Sequence, residues 1–326
     1  MDMLQPDSST AVRVTGLRPV ATGVMCLELV PQEGRVLDRV ECGAHVDVHL
    51  PNGVTRQYSL INDRESHRYV IAVGLDANSR GGSAFVHEGL KLNDVLWVDR
   101  PRNHFPLHAS DVPAVLVAGG IGITPIWSMV QRLEREGRRW TLYYCARTPE
   151  HAAFLPDIRR LADTSQVGRL VCHFDRLPGQ VPLDLTTTLA GHEPSRHFYC
   201  CGPRPMLEAF ADAARAHGVA DDHIHIEHFS AARSDALGDI PFEVEINDGS
   251  LHSVPAGRSI LDVLLAAGET PLYSCKEGIC GTCETAVLEG EPLHRDAVLS
   301  AAERASGKTM LICVSRCKTG RLKLDI

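Results

Sequence analysis

The stretch Ala114-Val115-Leu116-Val117-Ala118-Gly119-Gly120-Ile121-Gly122-Ile123-Thr124-Pro125 decides how the middle of this 326-residue chain folds. Five consecutive apolar residues without alternation are the pattern of a strand buried on both faces of a parallel sheet. A glycine-rich turn follows. Ile126, Met129, Val130 and Leu133 then recur at helical spacing, and Gly137 suits the C-terminal cap. Leu142-Tyr143-Tyr144-Cys145 is the next strand, which completes a strand–helix–strand unit. Further strands are expected at Arg169 to His173 and at His197 to Cys201, with a helix from about Pro205 to His217. This alternation predicts an α/β parallel-sheet domain over residues 108–230.

Outward toward the N-terminus the pattern changes. Short strand-like runs at Val12-Arg13-Val14, Val24 to Val30, His45 to Leu50, Tyr69 to Val73 and Val95 to Val98 are punctuated by Gly, Pro, Asn and Asp. Many short strands with almost no helix predict an antiparallel β-barrel over residues 1–107. Outward toward the C-terminus, 231–239 is short, polar and without period, a linker. Beyond it, Phe242 to Ile246 alternates and ends at Asn247-Asp248-Gly249. Ser259 with Asp262 resembles a capping box before the apolar face Ile260, Val263, Leu264 and Ala267, and Gly268 ends that helix. Residues 240–326 thus read as a small α+β (β-grasp) ferredoxin-type domain, the third part of a multidomain chain.

That third part carries Cys275-Lys276-Glu277-Gly278-Ile279-Cys280-Gly281-Thr282-Cys283, with Cys313 thirty residues later. The spacing C-x4-C-x2-C…C is that of plant-type [2Fe–2S] ligation. Two irons need four converging thiolates, and closely spaced cysteines on one loop can wrap them. Gly278 and Gly281 let the backbone pass near and aim N–H groups at sulfur. A structural zinc site pairs two C-x2-C units, and the second is missing here. Cys317 competes for the fourth position. Cys313 is preferred because it follows the apolar run Met310-Leu311-Ile312, whereas Cys317 lies in a basic loop.

The other candidate segments are weaker singly. The turn Gly119 to Pro125 offers bare N–H groups and a helix start to a phosphate, with Thr124 suited to the N-cap and Pro125 to the first helical position. It is not a true G-x-G-x-x-G, and a tight turn alone would look similar. Arg56-Gln57-Tyr58-Ser59 pairs an anion-binding Arg with a Tyr that can lie along a ring system, but an exposed strand explains it as well. Arg80-Gly81-Gly82-Ser83 reads as an anion-binding loop or as a glycine-rich hairpin. Cys201-Gly202-Pro203 ends a strand, where ligands bind in such sheets, although a buried structural Cys is the simpler account. The sixteen histidines show no ligand spacing; His223, His225 and His228 fall on or near a strand with Glu227.

Composition bounds the partners. The formal net charge is −8 without a basic stripe, which argues against nucleic acid. No apolar run reaches the roughly 18 residues that a membrane span needs. The start lacks the regions of a signal peptide. The eleven cysteines therefore read as free thiols and metal ligands of a cytoplasmic protein, not as disulfides.

Taken together, the pieces resemble the phthalate dioxygenase reductase family, which includes the vanillate demethylase reductases. The resemblance rests on Arg56 to Leu60, Gly81-Gly82-Ser83, Pro101 to Leu107, Gly119 to Pro125, Cys200 to Pro203 and Cys313-Val314-Ser315-Arg316. It implies an order of flavin barrel, nicotinamide domain and ferredoxin. By resemblance Arg56, Tyr58 and Ser59 hold the flavin, and Arg80, Gly82, Ser83 and Thr124 help bind its ring and phosphate. The family's flavin is FMN in preference to FAD. Gly120, Gly122, Thr124, Pro125, Cys201 and Gly202 would surround NADH, with Cys201 near the reacting carbon and Phe229 against the flavin. Asp175 would meet the adenine-side ribose, while Arg147 leaves NADPH open. The implied activity is that of an NADH-dependent oxidoreductase passing electrons through FMN and the [2Fe–2S] cluster to a terminal oxygenase. A monomer is expected. Two rivals stand beside it: a reductase for a cytochrome P450 or a quinone, and a redox-sensing binding protein. Chemistry favours a flavin in any of the reductases, because nicotinamide releases two electrons as hydride and a cluster accepts one.

Overall fold

The computed structural model describes residues 9–32, 34–77, 79–229 and 239–326. They form two compact units, the first ending at Glu227 and the second beginning at His228. The linker expected at 231–239 lies outside the described residues except for Asp239.

The first unit opens with six antiparallel strands, β1 (Thr10–Ala21), β2 (Val24–Pro31), β3 (His45–His49), β4 (Thr55–Ser59), β5 (Tyr69–Gly74) and β6 (Val95–Val98). Their order is β4-β3-β6-β1-β2-β5, and a bridge between Leu60 and Ile71 joins the two ends into a barrel. Inward-facing Val12, Val14, Leu27, Leu29, Val46, Val48, Ile71 and Leu96 fill it, each fully buried. Alternation along each strand sends every second side chain inside. One element departs from the sequence expectation. The segment after Arg80 is no hairpin but opens a short helix, α1 (Gly82–Glu88), with Gly81 at φ 89° before it. Glycines hid it, since they weaken a helical reading.

The same unit continues as a parallel sheet of β7 (Ala114–Gly119), β8 (Trp140–Ala146), β9 (Gly168–Phe174), β10 (His197–Cys201) and β11 (Ile224–Glu227). The helices are α2 (Ile123–Arg135), α3 (Leu155–Thr164), α4 (Leu185–Ala190) and α5 (Arg204–Ala216). Strand order is β11-β10-β7-β8-β9, all pairs parallel. The chain moves outward from β7 through β8 and β9, then returns to lay β10 on the other side of β7. The topological switch point is therefore between β7 and β10, where such sheets open a crevice at their C-terminal edge. One apolar cluster joins the barrel to this sheet: Cys42, Ile61, Ala72 and Phe105 pack with Ile126, Met129, Val130 and Leu133 of α2.

The second unit contains β12 (Phe242–Glu245), β13 (Leu251–Val254), α6 (Ile260–Ala267), β14 (Glu284–Glu289), β15 (Pro292–Leu293), α7 (Ala301–Ser306), β16 (Thr309–Leu311), β17 (Arg316–Cys317) and β18 (Arg321–Leu324). Its main sheet runs β13-β12-β18-β14-β16, with β12 and β18 parallel at the centre. Helix α6 covers it through Ile260, Leu261 and Leu264. Ser259 caps α6 as expected, accepting from the Asp262 N–H at 3.0 Å. The capping box is incomplete, because the Asp262 carboxylate takes the Ser259 hydroxyl at 2.8 Å. A full box appears instead at α7, between Ser300 and Glu303.

Candidate functional site

In the second unit the loop from Cys275 to Cys283 turns three times through the left-handed region, at Lys276 (φ 55°), Gly278 (φ 70°) and Gly281 (φ 76°). Two of these are the glycines that the conformation favours. The turns curl the loop so that its N–H groups point inward. Glu277 N–H lies 3.2 Å from Cys275 Sγ. Cys275, Cys280, Cys283 and Cys313 are all buried, at 5, 2, 2 and 6% exposure. Their thiols meet in a chain: Cys280 to Cys275, Cys275 to Cys313, Cys313 to Cys283. Hydrogen bonds from the Cys280 and Cys313 thiols, and from the Ile279 and Cys280 N–H groups, hold Cys275 well below the usual thiol range against the opposing effect of burial. The hydrogen bond to Cys275 raises Cys280.

Among the described residues no three His, Cys, Asp or Glu side chains converge as ligands of a single ion. The four thiols suit two irons, each taking two sulfurs, and the second C-x2-C pair of a structural zinc site is missing. The donor set, the burial and the inward N–H groups fit a [2Fe–2S] cluster. Cys317 is drawn elsewhere: its sulfur meets Thr319 Oγ1 at 3.5 Å and the Arg321 carbonyl at 3.4 Å.

At the switch point of the parallel sheet, two turns pack backbone against backbone. A Cβ at Gly122 would stand 2.2 Å from the Cys201 carbonyl oxygen, and one at Gly202 would stand 3.1 Å from Gly119 Cα. Gly120 has φ 55° and open space beside it. These four glycines bring the ends of β7 and β10 together while leaving the edge bare for a phosphate. The helix begins earlier than expected. A 3-10 turn over Gly120–Gly122 runs straight into α2, whose N-cap is Gly122. Thr124 is therefore no cap; its hydroxyl donates back to the Ile121 carbonyl at 3.0 Å, and both Thr124 and Pro125 are buried inside the first turn. Asp175 follows β9 on the same C-terminal edge, its N–H donating to the Ala146 carbonyl beside Arg147.

Cys201 is fully buried at the end of β10, in register with Glu227 on β11. Its thiol donates to the Glu227 carboxyl, and burial raises Cys201 well above the usual thiol range. Burial likewise lifts Glu227 to about 8, and its Oε2 has no hydrogen-bond partner. Glu227 was not singled out in the sequence as a functional candidate. Its place at a strand end one strand over from Cys201 is the signal that would have found it. Phe229 lies two residues beyond and is 36% exposed.

In the barrel, alternation along β4 puts Arg56 and Tyr58 on one face. Ser59 faces the other way and is buried, so it reaches that face only through its main chain. Arg56 donates to the Thr55 carbonyl at 2.8 Å and the Arg80 carbonyl at 3.4 Å. It lies against Gly82, where a Cβ would come within 2.8 Å of Arg56 Cγ. Burial pushes the Tyr58 phenol up to about 12 despite the opposing Arg56 charge. Ser83 Oγ accepts from the Asp76 N–H at 3.2 Å. Arg56, Tyr58, Arg80, Gly82 and Ser83 are thus gathered between β4 and α1, an Arg-and-Tyr face of the kind that a flavin's phosphate and ring require.

Comparisons with known proteins give matches along the whole chain. Residues 116–212 match an oxidoreductase NAD-binding domain family, and residues 245–318 match a 2Fe-2S iron-sulfur cluster binding domain family. The chain is 43% identical over 327 residues to a tetrachlorobenzoquinone reductase of Sphingobium chlorophenolicum, covering 99% of this chain and 100% of that one. It is 42% identical over 318 residues to a vanillate O-demethylase oxidoreductase of Pseudomonas sp. (strain HR199 / DSM 7063), covering 97% and 99%. A phthalate dioxygenase reductase of Burkholderia cepacia is 38% identical over 325 residues, with 99% of each covered. The solved structure of a phthalate dioxygenase reductase superposes with TM-score 0.74 at 37% identity over 98% of both chains. An intact type IV self-sufficient cytochrome P450 monooxygenase superposes with TM-score 0.84 at 35% identity; this chain spans 43% of its length.

Proposed function

The chain belongs to the phthalate dioxygenase reductase family, and from that premise we propose how its own residues divide the work. The family reaction is that of an NADH-dependent reductase, which passes electrons through FMN and a [2Fe–2S] cluster to the oxygenase of a two-component system. We assign residues 1–107 to the FMN barrel, 108–230 to NADH, 231–239 to a linker and 240–326 to the ferredoxin. Arg56 and Arg80 neutralise the flavin phosphate, Tyr58 lies along the ring, and the main chain of Ser59 and the segment Gly82-Ser83 complete the cradle. Gly120 and Gly122 lie against the pyrophosphate of NADH, the buried Thr124 and Pro125 shape the turn beneath it, Cys201 and Gly202 close the nicotinamide side, and Asp175 meets the ribose. By the family resemblance, Phe229 would lie against the flavin near the nicotinamide's place. Cys275, Cys280, Cys283 and Cys313 ligate the cluster.

When bound, the flavin supplies the step from a two-electron donor to a one-electron acceptor. The protein contributes position. The N–H groups of the cysteine loop stabilise negative charge on sulfur, and the buried Cys201–Glu227 pair fixes the end of β10 beneath the crevice. No residue is required as an essential acid or base. The observation that carries this reading is the meeting of four buried thiols, three from one loop and the fourth from Cys313. We expect a cytoplasmic monomer.

Acid release of the cofactors tests it. The expected result is one FMN, two irons and two sulfides per chain, with rapid NADH-dependent reduction of cytochrome c. Iron without sulfide, or no flavin, contradicts it. A second reading, reduction of a quinone, is favoured by the full-length similarity to a tetrachlorobenzoquinone reductase. Quinone turnover that survives loss of the cluster would support it.

A further inference from the structure

Helix α2 carries the glycine turn at its N-terminal end, and its flank is fastened to the barrel by polar contacts. Ser128 Oγ accepts from the Gly43 N–H at 3.1 Å. Gln131 donates to the Ile61 carbonyl at 3.0 Å. Arg132 grips Asp63 with two parallel bonds, Nε to Oδ2 at 2.7 Å and Nη2 to Oδ1 at 2.9 Å. Arg135 adds a third to Oδ2 at 2.8 Å. Positions 128, 131, 132 and 135 share one helix face. The Asp63 side chain is fully buried and that of Arg132 is 12% exposed.

Asp63 sits four residues beyond Ser59, where β4 runs out into the loop that Asn62 holds against β5 through the Val70 N–H and the Arg68 carbonyl, both at 2.9 Å. Eight residues, about 12 Å of helix, separate Arg132 from Thr124. One forked ion pair therefore links the strand assigned to the flavin with the helix that carries the turn assigned to NADH.

Adhesion between barrel and sheet does not need this pair. The apolar cluster around Cys42, Ile61, Phe105, Met129 and Leu133 already joins them, and apolar burial is non-directional. A buried ion pair is an inefficient source of stability, because desolvation opposes its attraction. What a two-point Arg–carboxylate fork adds is direction. Hydride transfer is sensitive to direction, since a displacement of about 1 Å can cost 100-fold in rate.

We propose that the Asp63–Arg132 pair is a positioning element that sets how nicotinamide meets flavin in this reductase. The inference rests on the assignment of β4 to the flavin and of the glycine turn to NADH. Asp63 and Arg132 touch neither cofactor; they act through β4 and α2.

The test is anaerobic stopped-flow reduction of the flavin by NADH in the holoenzyme, comparing Asp63→Asn, Asp63→Glu and Arg132→Lys with the wild type. Asp63→Glu keeps the charge and moves the carboxylate by one methylene. Arg132→Lys keeps the charge and loses the fork. The expected result is a fall of about tenfold or more in the limiting reduction rate for each variant. The NADH Kd should stay within about twofold and flavin content near the wild type, and Asp63→Glu should melt close to the wild type. Should Asp63→Asn fail to fold, the two charge-conserving variants carry the test. Wild-type limiting rates in those two, with only the melting temperature lowered, would overturn the proposal and leave the pair a stabilising clamp. A wild-type flavin that NADH does not reduce would overturn the assignment beneath it as well.

Discussion

The cysteine loop and the switch-point crevice are built in opposite ways. The loop keeps three of its four expected ligands within nine consecutive residues, 275–283, and the chemistry sits in their side chains. The crevice gathers segments more than seventy residues apart, and its most exacting contacts are between backbones, as at Gly122 and the Cys201 carbonyl. Side-chain chemistry at short spacing can be read from residue names. Backbone approach between distant segments leaves only glycines, which have many other uses. The two regions should also fail differently when altered.

The largest effect is expected at the loop. Cys280→Ser and Cys313→Ser should each lower NADH-to-cytochrome c transfer by roughly 100-fold or more, since a lost ligand removes the cluster through which single electrons are passed on. Flavin reduction by NADH should persist near the wild-type rate. Cys317→Ser should leave both nearly unchanged, because that sulfur bonds Thr319 and Arg321 instead. Iron content with the two activities checks all three variants. A Cys317→Ser protein without iron would reverse the choice of fourth ligand.

The crevice should respond more gradually. Gly122→Ala forces a Cβ to within 2.2 Å of a backbone oxygen. Overpacking of this kind costs about 1–3 kcal/mol, and the displaced turn should weaken NADH binding about tenfold. Denaturant melts and flavin-reduction titrations measure the two effects. Normal NADH binding in a destabilised Gly122→Ala protein would show that the turn does not hold the nucleotide.

A smaller effect separates the crevice from its own sheet edge. His197 stacks on His108 at 4.1 Å, lies 4.2 Å from His223, and its Nδ1 is 3.0 Å from His225 Nε2. Burial first, then the neighbouring histidines and Arg138 with Asp222 opposing, lowers His197 to about 4. Burial and the same histidines lower His225 to about 4. Both groups take up protons near pH 6.5 when unfolded and only near pH 4 when folded, so the unfolded state binds more protons between these values. Stability should fall as pH drops through that window, by on the order of 2 kcal/mol. His197→Phe should flatten the dependence without changing flavin reduction at pH 7. Melting temperature against pH measures it.

Glu227 acts in the opposite sense to these histidines. Its carboxyl is protonated up to about pH 8 in the fold but ionises near the ordinary carboxylate value of 4.5 when unfolded. The folded state therefore binds more protons across that window, and stability should decline as pH rises through it. Glu227→Gln should remove the decline, again by melting against pH.

The same contrast explains what the sequence made legible. The apolar run Ala114 to Ala118 and the helical period after it announced the parallel sheet, because burial imposes its pattern on the chain, and the many short strand-like runs between turn residues announced the barrel. The cysteine spacing announced the cluster loop. Helix α1 was hidden by its glycines. Thr124 was expected to cap a helix that in fact begins before it, because a 3-10 turn leaves no trace in residue types. Asp63 and Arg132 carried no signal at all. They are ordinary charged residues until the fold brings them together across sixty-nine positions. The functional order of the chain was readable only from several weak pieces in sequence order, which is why a family resemblance was needed to join them.

Time-resolved electron paramagnetic resonance, run beside flavin absorbance after anaerobic mixing with NADH, tests the central claim most directly. The account predicts that the flavin bleaches first and that the signal of a reduced [2Fe–2S] cluster follows. In Cys280→Ser the bleaching should remain and the signal vanish. A cluster signal that precedes flavin reduction, or never appears in the wild type, would contradict it.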